Sequence, residues 1–121
     1  MTQGKADIDQ FRISRTTDQL TIYFNIKNLT GGKEKISGYI IGVAKSDNAI
    51  YVYPTTALMT PHVQLAFNKG ESFGTHRFRP SQITFNVANN IEIKLYEIFI
   101  FSRTGDLITK KIYSPEQQEN P

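Results

Sequence analysis

Apolar residues recur at every second position through most of this chain, the period of a β-strand with one face buried and the other wet. Leu20, Ile22, Phe24 and Ile26 alternate with Thr21, Tyr23, Asn25 and Lys27. The run then breaks at Asn28-Leu29-Thr30-Gly31-Gly32, where Asn and Gly favour a turn with positive φ. Ahead of it, Ile8, Phe11 and Ile13 predict a first strand, joined by the hairpin-sized Thr16-Thr17-Asp18. From Ile36 to Lys45 both alternating sets are apolar or small, which predicts a central strand covered on both faces. Ser46-Asp47-Asn48 is a turn signal, and Ala49 to Tyr53 forms a short strand stopped by Pro54, a residue suited to a sheet edge.

The second half repeats this grammar. Phe73 to Phe78 reads as one strand; after Pro80, Ile83, Phe85 and Val87 alternate with polar partners in another. Ile91, Ile93 and Leu95 hold one phase and Ile98 and Ile100 the other. The apolar face therefore switches near Tyr96-Glu97, through a β-bulge or a change of sheet. Ser102 to Asp106 is a hairpin loop with Gly105 at its left-handed position, and Leu107 to Tyr113 is the last strand. Between Thr55 and Pro80, Thr60-Pro61 and Gly70 could bound a short helix, but the alternation of Val63, Leu65 and Phe67 favours an extended connection.

Seven to eight short strands with frequent turns predict an all-β, immunoglobulin-like β-sandwich, a small closed barrel being the alternative. We place the single domain at residues 7–113, between a polar, disordered lead-in at 1–6 and a disordered polar tail at 114–121. The N-terminus lacks the apolar core of a signal peptide, and no apolar run is long enough to span a bilayer.

Composition narrows the chemistry. With no cysteine, disulfides, thiolate metal sites and cysteine nucleophiles are excluded. The formal charge of +3 is mildly basic, but the bases are scattered and only Lys110-Lys111 are adjacent. His62 and His76 have no acids at ligand spacing, so no metal or cofactor is expected. Asp7 with Asp9, and Glu92 with Glu97, read as charges on solvated faces rather than acid–base pairs. Gly70-Glu71-Ser72-Phe73-Gly74 lacks the Lys and the helix of a phosphate-binding loop. Asn28-Leu29-Thr30 matches the glycosylation acceptor pattern, which arises often by chance.

The sharpest candidate surface is His76-Arg77-Phe78-Arg79-Pro80, where bases interleave with an aromatic, joined by Tyr51 and Tyr53. The plainer reading has Phe78 packed inward while Arg77 and Arg79 face water. Tyr23, Tyr39, Tyr51, Tyr53, Phe99 and Phe101 all fall opposite good core positions, so some must meet a second layer or a partner.

Phe11-x-Ile13-x-Arg15, Leu20-x-Ile22-x-Phe24-x-Ile26-x-Asn28, Gly38-Tyr39-Ile40, Tyr53-Pro54, Gly70-x-x-Phe73, Phe78-Arg79 and Gly105-Asp106-Leu107 occur in an order that resembles an uncharacterised family of bacterial envelope domains. The resemblance spans most of the chain. It implies a periplasmic C-terminal module that follows a membrane anchor and coiled coil, and it brings no catalytic or ligand residues. The expected function is thus a noncatalytic interaction module of the cell envelope that binds a protein partner or self-associates through edge strands or an aromatic patch. The alternatives are a small basic barrel binding single-stranded nucleic acid through Tyr51, Tyr53, Arg77, Phe78 and Arg79, and an enzyme with its site in the 55–80 connection around His62 and His76.

Overall fold

In the computed structural model, residues 5–55, 58–59 and 64–117 are described. They form ten strands: β1 (Ala6–Arg15), β2 (Leu20–Asn28), β3 (Ile36–Lys45), β4 (Ile50–Tyr53), β5 (Leu58–Met59), β6 (Gln64–Leu65), β7 (Glu71–Thr75), β8 (Phe78–Phe85), β9 (Leu95–Ser102) and β10 (Leu107–Tyr113). Every pairing is antiparallel. One sheet has the order β1-β2-β8 and the other β10-β9-β3-β4, with β7 beside β4 on the same edge of β3. The two sheets do not close into a barrel; this is an immunoglobulin-like β-sandwich, and β5 with β6 is a small separate hairpin.

The core lies between the sheets. Phe11, Leu20, Ile22, Ile26, Ile83, Ile40, Ile98 and Ile100 are each almost fully excluded from water. At roughly 1.5–3 kcal/mol per buried side chain of this size, their burial dominates the stabilisation. As its doubly apolar pattern predicts, β3 is central. Ile36, Ile40 and Ala44 face the core, while Ile41 and Val43 form a second cluster on the outer face with Val52, Phe99 and Phe101. Gly38 is where β3 and β9 come together: a Cβ there would sit 1.8 Å from the Phe101 carbonyl oxygen.

Two phase changes have distinct causes. Ile8 and Phe11 are three residues apart yet both buried, because Gln10, at φ 57°, takes up an extra residue as a bulge between Asp9 and Arg12. The switch near Tyr96 is a change of sheet. Ile91 and Ile93 lie on the crossing segment after β8, and Tyr96, Ile98 and Ile100 then face the core from β9.

The second layer over β3 and β9 is the connection before β7. Phe67, in a 3₁₀ turn at Phe67–Lys69, meets Tyr39 edge-on and Phe101 at a tilt, with centroids 5.9 and 6.2 Å apart. Gly105, at φ 96°, leaves the room that ring needs, since a Cβ would approach it to 2.9 Å. Among the described residues of the 55–80 segment there is no α-helix. His62 and Val63 lie outside the described residues, as do 1–4 and 118–121. At the boundaries, Ala6 is buried at the start of β1 opposite Asn28, and Pro115–Gln117 make a 3₁₀ turn.

The strand expected over Phe73 to Phe78 is in fact two. The chain turns at His76-Arg77, β8 begins at Phe78, and Pro80 lies inside it. The plainer reading of Phe78 is also corrected. Ile83 and Phe85 set the inward phase of β8, which places Arg79 and Ser81 on the inner side and leaves Phe78 60% exposed.

Candidate functional site

The two long sides of the sandwich differ. On one, β1 and β10 close the gap: the rings of Phe11 and Tyr113 stack at 4.0 Å, and Lys111 pairs with Asp7 at 3.3 Å. On the other, β4 and β8 stand apart and leave two adjoining hollows of about 220 and 360 Å³. The first is lined by Ile50, Tyr51, Val52 and Thr55 with Phe85 and Asn86, the second by Glu71, Arg79, Pro80, Ser81 and Gln82. Tyr53 and Thr84 line both.

Strand phase places each polar group. Tyr51 and Tyr53 were expected on an outer face, but it is Val52 that occupies the outer cluster. The two tyrosines lie on the inner side at the sheet edge, half-buried against the core. The Tyr53 hydroxyl donates to Glu71 Oε1 at 2.6 Å, and Arg79 Nη2 donates to Glu71 Oε2 at 3.2 Å. Arg79 Nη1 also donates to Ser81 Oγ at 3.1 Å. The hydrogen bond to Glu71, then burial and the carboxylate charge, push the Tyr53 hydroxyl up to about 12, against a smaller opposing effect of Arg79. Tyr53 is therefore a neutral donor at neutral pH. The Glu71 carboxyl group thus accepts from a hydroxyl and a guanidinium, and the guanidinium and the carboxyl oxygens keep further hydrogen-bonding capacity.

Among the described residues no strand pairs with the outer edge of β8, which borders the same cleft. Asn28 N–H donates to the Arg77 carbonyl at 2.6 Å, which puts every second pair along β2 and β8 in the hydrogen-bonded register. Pro80, opposite Asn25, falls in the alternate register, so its missing N–H is on the outer edge, while Gln82 and Thr84 direct backbone groups outward. The other edges carry similar protection: bulges interrupt β1 and β10, and β4 has only four residues.

The residues singled out in the sequence thus divide. Tyr51, Tyr53 and Arg79 converge on the side cleft, whereas His76 and Arg77 are exposed in the β7–β8 turn and, with Phe78, line neither hollow. Glu71, the centre of the network, was missed. In the sequence it is one acid in a glycine-flanked turn, and only β7 pairing with β3 brings it beside Tyr53. Glu97 was misread as solvated. It is buried on the outer face of the second sheet, held by Lys45 at 2.9 Å and Lys110 at 3.3 Å, while Glu92 is exposed and pairs with Lys94. The Asn28 side chain is fully engaged, its amide donating to the carbonyls of Glu34 and Thr75 and its oxygen accepting from Thr30.

No family model and no curated protein matches this sequence. The solved structures similar to it include two of beta-glucosidase from Kluyveromyces marxianus. One, of the selenomethionine-labelled protein, has a TM-score of 0.47 and 15% identity over 98% of this chain. The other, in complex with glucose, has a TM-score of 0.43 and 14% identity over 94% of this chain. The chain spans 14% of the length of each.

Proposed function

We propose that this protein is a noncatalytic interaction module of the bacterial cell envelope that binds a segment of a partner polypeptide along the β4–β8 cleft. The observation that carries the reading is the convergence there of Tyr51, Tyr53, Arg79 and Glu71. Tyrosine and arginine are the residue types that anchor protein interfaces, because each combines a large apolar surface with directed hydrogen bonds. The edge of β8 adds backbone groups at Gln82 and Thr84, and Pro80 limits how far a strand could extend along it. The compartment rests on the family resemblance alone. Nucleic-acid binding draws less support, since the exposed Arg77 and Phe78 are separate from the tyrosines and give no continuous stacking track.

Panning a displayed library of unstructured peptides against the domain tests this. The expected result is ligands whose affinity falls at least tenfold for the Tyr51→Ala/Arg79→Ala double variant, and whose amide shift perturbations centre on β4 and β8. Ligands that bind the double variant equally well, or that perturb another face, would overturn it.

A further inference from the structure

We propose that one end of the sandwich docks on an anionic phospholipid bilayer. The topology gathers at that end Lys5, just before β1, the β2–β3 loop, the β7–β8 turn and the β9–β10 loop. These segments carry five bases, Lys5, Lys33, Lys35, Arg77 and Arg103, against two acids, Glu34 and Asp106, and all five bases are exposed. Among the described residues the opposite end, made of the β1–β2 and β3–β4 turns, the β8–β9 loop and residues 114–117, carries Lys94 and the adjoining Arg15, which donates to the Ala88 and Ile91 carbonyls, against Asp18, Asp47, Glu92 and Glu116. A sequence with scattered bases thus becomes a molecule with one basic and one acidic end. An anionic surface attracts the first and repels the second, which orients the domain as well as binding it.

Apolar exposure accompanies the charge. Leu29, Phe78 and Leu107 are 39, 60 and 52% exposed, and all three lie in or next to the segments of the basic end. Bases beside exposed apolar side chains form the pattern that settles at a bilayer interface, the bases on headgroups and the apolar groups at the acyl boundary. Ile50 and Ile112, also exposed, lie toward the acidic end, where charge opposes contact. The basic end is also held in shape: Asn28 hydrogen-bonds to the backbone at Glu34 and Thr75, tying the β2–β3 loop to the end of β7. Between that loop and the β9–β10 loop lies a hollow of about 540 Å³, lined by Lys5, Lys35 and Arg103 together with Asp106 and with Glu34, which pairs with Lys5 at 2.6 Å; the bases outnumber the acids there, and the hollow can admit a headgroup.

Co-sedimentation of the whole chain with vesicles tests the proposal. Vesicles of two parts phosphatidylcholine to one part phosphatidylglycerol are compared with phosphatidylcholine alone. An excess of three charges at the basic end gives an expected preference of roughly a hundredfold for the anionic vesicles at low salt. The preference disappears once the Debye length falls to a few ångströms. Lys33→Glu/Arg77→Glu removes binding, Phe78→Ser/Leu107→Ser weakens it, and Asp47→Lys at the far end leaves it intact. Thermal melts of each variant establish that it folds. Equal binding to both vesicle types, or undiminished binding by the folded Lys33→Glu/Arg77→Glu variant, overturns the proposal. So does binding of a thymidine oligonucleotide without binding of anionic vesicles, which would assign the basic end to nucleic acid.

Discussion

The Tyr53 hydroxyl and Glu71 Oε1 lie 2.6 Å apart, joining β4 to β7 where both border β3, and the same carboxylate receives Arg79 from the opposite sheet. One acid therefore links both walls of the cleft. Tyr53→Phe removes the hydroxyl while Arg79 still satisfies Glu71, so the expected loss is about 1 kcal/mol in denaturant unfolding. The Tyr53 and Tyr96 hydroxyls are both raised to about 12, Tyr53 first by its hydrogen bond to Glu71 and Tyr96 first by burial. The folded state holds these two protons more tightly than the unfolded one. Their stabilisation is complete below pH 10 and is lost as pH rises toward 12. Absorbance titration of the folded protein should show one fewer late-titrating phenol in Tyr53→Phe than in the wild type.

Glu97 sets an acid limit. Burial alone would raise its carboxyl, but the hydrogen bonds and charges of Lys45 and Lys110 outweigh that and hold it below its ordinary value of 4.5. The folded state thus favours the carboxylate. Its contribution is full above about pH 4.5 and is lost as pH falls through the lower folded value. Glu97→Gln leaves both lysines without a counter-charge, at a cost of about 2 kcal/mol at pH 7. Urea unfolding from pH 7 to 3 should show a shallower decline in the variant than in the wild type.

The closed side of the sandwich depends on Phe11. Its ring stacks on Tyr113 and meets Tyr96 at 5.6 Å, and it is wholly buried. Phe11→Ala opens a cavity between β1 and β10 and should cost about 3–5 kcal/mol, read by chemical denaturation. Phe11→Leu, which keeps most of the volume, should lose less than half as much.

Asn28→Ala cuts the ties of the β2–β3 loop to the end of β7 and leaves the Thr75 carbonyl, at a buried residue, short of a donor. The expected cost is about 2 kcal/mol. Amide exchange should quicken across residues 29–35, with the β9–β3 ladder unchanged.

Much of the fold was legible because burial and strand geometry leave a local signature. Period-two alternation marked β2, the doubly apolar run marked β3 as central, and Pro54 marked the edge at β4. The switch near Tyr96 announced the crossing between sheets, although its alternative, a bulge, could be dismissed only from the strand order. Local pattern failed at Phe78: the phase of β8 is set five residues on by Ile83, and the turn at His76-Arg77 has neither Gly nor Pro to mark it.

For function, the sequence by itself determined which chemistries are absent, through the missing cysteines, and which side chains were available to recognise a partner. Only the tertiary structure decided how they are grouped. It set Tyr53 and Arg79 around Glu71 with Tyr51 in the adjoining hollow, parted them from His76 and Arg77, and sorted scattered charges into a basic and an acidic end. The reason is that antiparallel pairing brings together residues far apart in sequence: Tyr53 and Glu71 are 18 residues apart, Asn28 and Thr75 are 47. Alternation along one strand records which face is buried and carries no information about which strand will lie beside it.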